Sequence, residues 1–230
     1  MQFSGFQKLT LLDYPEKTAC TLFTAGCNFR CPFCHNAALV THIDNSNYFT
    51  EEYVFDYLKK RSGILDGICI TGGEPLMHKD LPEFIKKVKE LGYLVKLDTN
   101  GSYPERLENL IDSGLIDYVA MDIKNSKEKY LLTAECSEED LRNVEKSVEI
   151  LKQGKIDYEF RTTVVKEYHT AEDIKKIAEW IKGADKYFLQ NFIDSGDIIK
   201  NNLSAHSRET LEVMRLCAQD IIPKVKIRGI

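Results

Sequence analysis

At 230 residues with 43% hydrophobic content, the chain is long enough for one packed domain with a sizeable core. Its 31 Lys and Arg against 36 Asp and Glu leave a formal charge of -5, which argues against a nucleic-acid grip built on phosphate neutralisation; basic runs such as "LKKR" and "IKKVKE" read as solvated helix faces. No apolar run approaches membrane-spanning length, so a cytoplasmic protein with neither membrane nor nucleic acid among its partners is expected.

The opening "MQFSGFQKLTLLDYP" lacks the basic start, apolar block and cleavage site of a signal peptide, and reads as a strand segment ahead of the core. Six short β-branched or apolar runs then predict buried strands: "TACTLFT" (18–24), "GICIT" (67–71), "LVKLD" (94–98), "YVAMD" (118–122), "YEFRTTVV" (158–165) and "YFLQ" (187–190). Amphipathic stretches over 50–62, 80–91, 104–113, 137–153, 170–182 and 204–220 predict helices between and after them. Thr50 serves as an N-cap with Glu51 and Glu52 in the first turn, and Pro82 and Pro104 fall where a missing N–H costs little. The final "KVKIRGI", with Gly229, reads as a last strand or a tail.

Strands alternating with helices imply right-handed crossovers and a parallel sheet. The expected fold is α/β, a partial (β/α)6 TIM-like barrel, with a doubly wound open sheet as the alternative. No linker, repeat or low-complexity tract divides the chain, so residues 1–230 are expected to form a single domain. Either architecture gathers chemistry beyond the carboxyl ends of the strands.

The polar groups collect there. "TAGCNFRCPFCHN" follows the first strand and places Cys27, Cys31 and Cys34 within eight residues, with Phe33 before the last. Seven cysteines in a reducing compartment do not suggest a disulfide framework; a clustered triplet suggests a metal, an iron–sulfur cluster or redox chemistry. Three thiolates on a tight loop suit three corners of a 4Fe–4S cube, leaving one iron without a nearby protein ligand. Cys20 and Cys69 lie inside apolar strands as small core residues, and Cys136 and Cys217 are isolated. Two alternatives are a zinc site of Cys27, Cys31, Cys34 and His35, hampered by the adjacency of Cys34 and His35, and an electron-transfer cluster, which wants a fourth cysteine.

After the second strand comes "TGGEPL". The paired Gly72 and Gly73 permit close backbone approach, while Glu74 and the turned-out carbonyls suit an ammonium group; Pro75 follows. The third strand ends in Asp98, Thr99 and Asn100, the fourth in Asp122 and Lys124; the fifth carries Arg161, and the sixth ends in Gln190 and Asn191. An arginine in an apolar strand needs a carboxylate, from the protein or from a ligand.

The C-x3-C-x-aromatic-C pattern together with "GGEP" resembles the radical S-adenosylmethionine (SAM) superfamily, over roughly residues 17–195. The resemblance implies one 4Fe–4S cluster on Cys27, Cys31 and Cys34, SAM chelating the open iron, and SAM contacts from Phe33, Gly72, Gly73, Glu74, Pro75, Asp98, Thr99, Asn100, Asp122, Lys124, Arg161 and Gln190. It further implies reductive cleavage of SAM to methionine and a 5′-deoxyadenosyl radical. Within the superfamily, "GFQKLTLLDYPEK", the compact cysteine loop and the absence of a second cysteine cluster resemble the anaerobic ribonucleoside-triphosphate reductase activating family. That likeness implies a large glycyl radical enzyme as partner and a flavodoxin or ferredoxin as electron donor. An activator of a formate-lyase-type enzyme, or a radical SAM enzyme for a small molecule or peptide, is the nearest alternative.

Overall fold

The alternation read from the sequence is realised in the computed structural model, which describes residues 1–42, 48–194 and 196–229. The amino-terminal part contains β1 (Gln2–Phe3), β2 (Gly5–Thr10), β3 (Ala19–Thr24), α1 (Ala37–Thr41), β4 (Phe49–Thr50), α2 (Glu51–Lys60) and β5 (Gly67–Gly72). A 3-10 turn (Pro75–Met77) leads to α3 (Leu81–Glu90), β6 (Leu94–Thr99), α4 (Pro104–Asp112), β7 (Tyr118–Asp122), α5 (Lys127–Ala134) and α6 (Glu138–Lys152). The chain continues through β8 (Asp157–Val164), α7 (Ala171–Trp180), β9 (Lys186–Asn191), α8 (Arg208–Gln219) and β10 (Lys224–Arg228).

Local chemistry sets many helix starts. Thr50 accepts from the Tyr53 N–H, and Ser137 and Thr170 form reciprocal capping boxes with Asp140 and Asp173. The sequence reading gave no helix at Lys127–Ala134, because "KEKYLLTA" has little apolar periodicity; it forms against α6, burying Tyr130, Thr133 and Ala134.

One eight-stranded sheet runs β10-β9-β8-β7-β6-β5-β3-β2, and β1 pairs separately with β4. Every neighbouring pair in the large sheet is parallel except β2 with β3. The six expected strands therefore stand in sequence order, with β10 added as a further parallel strand. β2 and β10 lie at opposite edges, which makes this an open, partial TIM-like barrel.

The two faces of the sheet differ in chemistry. Ile68, Ile70, Val95, Leu97, Val119, Met121, Phe160 and Leu189 are fully buried in the main apolar core, where each side chain contributes about 1.5–3 kcal/mol. Strand alternation turns Lys96, Asp98, Glu159 and Arg161 to the other face. At the amino ends of the strands an apolar floor of Tyr14, Ala19 and Tyr118 closes the interior. Above it, Glu159 accepts from the Tyr118 hydroxyl at 3.0 Å and from both terminal nitrogens of Arg228 at 2.6 and 3.0 Å, tying β10 to β8 across β9. Among the described residues no helix is long and apolar enough to cross a membrane.

Candidate active site

The cysteine loop and the double-glycine turn are built against each other. Gly73 N–H donates to the Thr24 carbonyl, Glu74 N–H to the Gly26 carbonyl and Gly26 N–H to the Leu39 carbonyl, each at 2.8 Å. Gly72 takes φ +113°, a conformation that a side chain would strain, and a Cβ on Gly73 would fall 1.8 Å from the Gly26 oxygen. Both glycines are therefore required where two stretches of backbone touch, immediately before Cys27.

Beyond the carboxyl ends of the parallel strands lies a cavity of about 340 Å3. It brings together Cys27, Cys31, Phe33, Cys34, Gly72, Gly73, Asp98, Thr99, Asn100, Asp122, Lys124, Arg161 and Gln190 from the sequence reading. Glu74 and Pro75 are buried but do not line it. Glu74 is turned behind the wall, where its carboxylate accepts from Leu76 N–H at 3.0 Å, Thr99 Oγ1 at 2.8 Å and Asn100 N–H at 2.7 Å. Burial pushes its pKa up to about 7 against those three donors. Its work in this geometry is to hold the end of β6 to the turn after β5.

The sequence reading did not assign Gln7, Asp13, Thr21, Phe23, Asn36, Val40, Thr71 or Thr163 to the cavity, although they also line it. Asn36 and Thr71 flank the cysteine and double-glycine motifs, and Phe29, inside the cysteine loop, lines the cavity as well; the others belong to no chemical motif. Gln7 and Asp13 arrive because β2 pairs antiparallel on β3, a placement that only the strand order provides.

One wall is a chain of alternating charges. Lys96 pairs with Asp98, Asp98 with Arg161 at 3.0 Å, Arg161 with Asp122 at 2.9 Å, and Asp122 with Lys124 at 3.0 Å. Burial works to raise the pKa of both aspartates, but Arg161 and the flanking lysines overcome it and hold both below the usual carboxylate range. For Lys124 burial favours the neutral amine, yet the Asp122 carboxylate raises its pKa and keeps it charged. His169, buried beneath, accepts from Val165 N–H on Nδ1 at 3.1 Å and meets the Lys124 carbonyl through Nε2 at 2.7 Å. Burial lowers its pKa to about 4, so it is a neutral strut that fixes the Lys124 backbone. Phe33 packs over His169 and Tyr168 with ring centroids 6.0 and 5.9 Å away.

The donor set suits a multinuclear iron–sulfur cluster better than a single ion. All three loop cysteines are free and face one cavity. Burial pushes the Cys27 and Cys31 thiols up to about 11 and 12, so a bound cation is what would hold them as thiolates. Among the described residues no three His, Cys, Asp or Glu side chains converge as one tetrahedral zinc requires, whereas a cube spreads its ligands over separate irons. His35 stacks on Phe192 at 5.5 Å.

Residues 21–181 match the Radical SAM superfamily. A Methanocaldococcus jannaschii protein named as a candidate glycyl-radical enzyme activating enzyme is 36% identical over 236 aligned residues, covering 99% of this chain and 95% of its own. The 7-carboxy-7-deazaguanine synthase of the same organism is 27% identical over 85% of this chain and 82% of its own. Among solved structures, Streptococcus suis SuiB bound to S-adenosylmethionine superposes with TM-score 0.72 at 15% identity, over 90% of this chain and 49% of that one. A domain of pyruvate-formate lyase-activating enzyme from Bacteroides vulgatus does so at 0.58 and 17%, over 71% of this chain and 99% of that one. These two likenesses establish the fold. With the sequence match extending from β3 to α7 around a cysteine-lined cavity at the strand ends, the chain belongs to the radical SAM superfamily, whose enzymes work with a 4Fe–4S cluster and SAM.

Proposed function

We propose that this radical SAM enzyme activates a glycyl radical enzyme by generating a radical on a glycine of that partner. Anaerobic ribonucleoside-triphosphate reductase is the proposed partner, with a flavodoxin or ferredoxin as electron donor and the cytoplasm as location. The observation that carries the reading is the end-to-end likeness to the M. jannaschii protein, which spans 99% of this chain and includes the opening segment that supplies Gln7 and Asp13 to the cavity.

In this reading Cys27, Cys31 and Cys34 hold the cluster and leave one iron to SAM. When bound, the cluster supplies the electron that cleaves SAM to methionine and a 5′-deoxyadenosyl radical. The carbonyls of Gly72 and Gly73 receive SAM's ammonium group, and Lys124 and Arg161 supply the positive charge for its carboxylate. Asp98, Thr99, Asp122 and Gln190 offer polar contacts to the remainder, and Phe33 and Asn100 complete the wall near the cysteines. Glu74 and Pro75 serve by shaping the turn. The open edge between β2 and β10 leaves room for a glycine-bearing loop.

The test is anaerobic incubation of the cluster-loaded protein with SAM, a reductant and anaerobic ribonucleoside-triphosphate reductase carrying α-deuterated glycine. A glycyl-radical signal in the partner and deuterium in 5′-deoxyadenosine are expected. Undiminished 5′-deoxyadenosine production with neither partner radical nor deuterium transfer would contradict this assignment.

A further inference from the structure

Asn100, at the end of β6, directs its side chain toward the cysteine loop. Its Nδ2 lies 3.6 Å from Cys27 Sγ and 3.1 Å from Asn28 Oδ1. An amide can be turned end for end without changing its outline, so the assignment of nitrogen and oxygen must come from its partners. Those partners settle it. The Ser102 backbone N–H, which can only donate, meets Asn100 Oδ1 at 2.9 Å, and the amino end must then face Cys27 and Asn28. Asn28 is oriented in the same way: its Nδ2 donates at 2.8 Å to Asp140, whose carboxylate also closes the capping box of α6.

The amino group has two hydrogens, enough for Asn28 Oδ1 and for the Cys27 sulfur together. Asn100 is buried, and its backbone N–H is fixed by the Glu74 carboxylate at 2.7 Å. A relay therefore runs from the α6 cap through Asn28 and Asn100 to one sulfur. The Phe29 N–H also donates to that sulfur, at 3.4 Å, whereas Cys31 Sγ lies 3.8 Å from an acceptor, the Ala134 carbonyl.

We propose that Asn100 is a positioning residue for the cluster, donating a hydrogen bond to Cys27 that raises the cluster's reduction potential and so eases entry of the electron. The inference rests on the reading of Cys27 as a cluster ligand. Reduction adds negative charge that spreads onto the ligating sulfurs, so a donor aimed at one of them stabilises the reduced form more than the oxidised one. Asn28, Ser102 and Asp140 act through Asn100 by fixing which end of its amide faces the sulfur.

The experiment is an anaerobic redox titration, followed by the electron paramagnetic resonance of the reduced cluster, in wild type, Asn100→Leu and Ser102→Ala. Iron content and thermal unfolding are measured alongside. Asn100→Leu is expected to lower the ratio of reduced to oxidised cluster at fixed poise by about tenfold, equal to about 59 mV for a one-electron couple. Ser102→Ala, which removes the hydroxyl donating to Asn100 Oδ1 at 2.6 Å, is expected to shift it less and in the same direction. Where Asn100→Leu fails to fold or load, Ser102→Ala decides. An unchanged potential in an iron-replete variant would overturn the proposal. Cys27→Ala separates the underlying reading: retention of a full cluster there would remove Cys27 as a ligand and the inference with it.

Discussion

A Gly73→Ala variant is expected to lose the ability to hold a cluster after anaerobic reconstitution. Gly73 is not among the positive-φ glycines, so the cost is steric rather than conformational. The added methyl would meet the Gly26 oxygen at 1.8 Å and its carbonyl carbon at 2.6 Å. Backbone cannot swing away as a flexible side chain can, and the two segments are stitched by hydrogen bonds on either side of the contact. Overpacking of this kind costs about 3 kcal/mol, and here it falls on the residue immediately before Cys27. Iron content and the visible absorption of the reconstituted protein check the point; a full complement of iron at wild-type thermal stability would show that the junction is looser than these contacts allow.

Arg161→Met is expected to destabilise the protein by about 3–5 kcal/mol at neutral pH, because it leaves Asp98 and Asp122 facing each other across the vacated cation. The effect has a sign in pH. Both carboxyls are held below their ordinary range in the folded protein, so the stability they contribute with Arg161 is present above the unfolded value near 4 and is lost as the pH falls through the folded values. The difference between wild type and variant should therefore be largest at neutral pH and shrink in acid. Denaturant unfolding at pH 7 and at pH 2, well below the unfolded carboxylate value, checks both magnitude and slope, and a difference below about 1 kcal/mol at pH 7 would mean that Lys96 and Lys124 alone neutralise the pair.

Much of this arrangement is legible in the sequence, because strand and helix periods, caps and glycines act locally. The six expected strands form with shifts of a residue or so, and Thr50, Ser137 and Thr170 start their helices through side-chain bonds. The cysteines, the paired glycines and the strand-end Asp98, Asp122, Lys124, Arg161 and Gln190 reach one cavity because a parallel sheet delivers every strand end to the same side.

What the sequence hides is orientation and long-range placement. "GGEP" suggests a carboxylate offered to a ligand, but Glu74 turns away to bind backbone and Thr99. Lys96 within "LVKLD" and Glu159 within "YEFRTTVV" sit in runs read as buried apolar strands, and both are buried as ion-paired groups inside the barrel. "TNG" reads as an ordinary turn, and only the packed loops reveal that its asparagine faces a cysteine 73 residues earlier. α5 escaped notice because it is stabilised by its contacts with α6 and the cysteine loop, where Arg30 N–H binds the Ala134 carbonyl, rather than by its own periodicity.

The most direct measurement is 5′-deoxyadenosine formed from SAM by anaerobically reconstituted protein with a strong reductant, in wild type and in Cys31→Ala. Cys31 is buried in the cavity wall, and the account requires its thiolate for the cluster. Product from wild type and none from Cys31→Ala is the predicted result. Product at the same rate from both, or none from wild type carrying an intact and reducible cluster, would contradict the account.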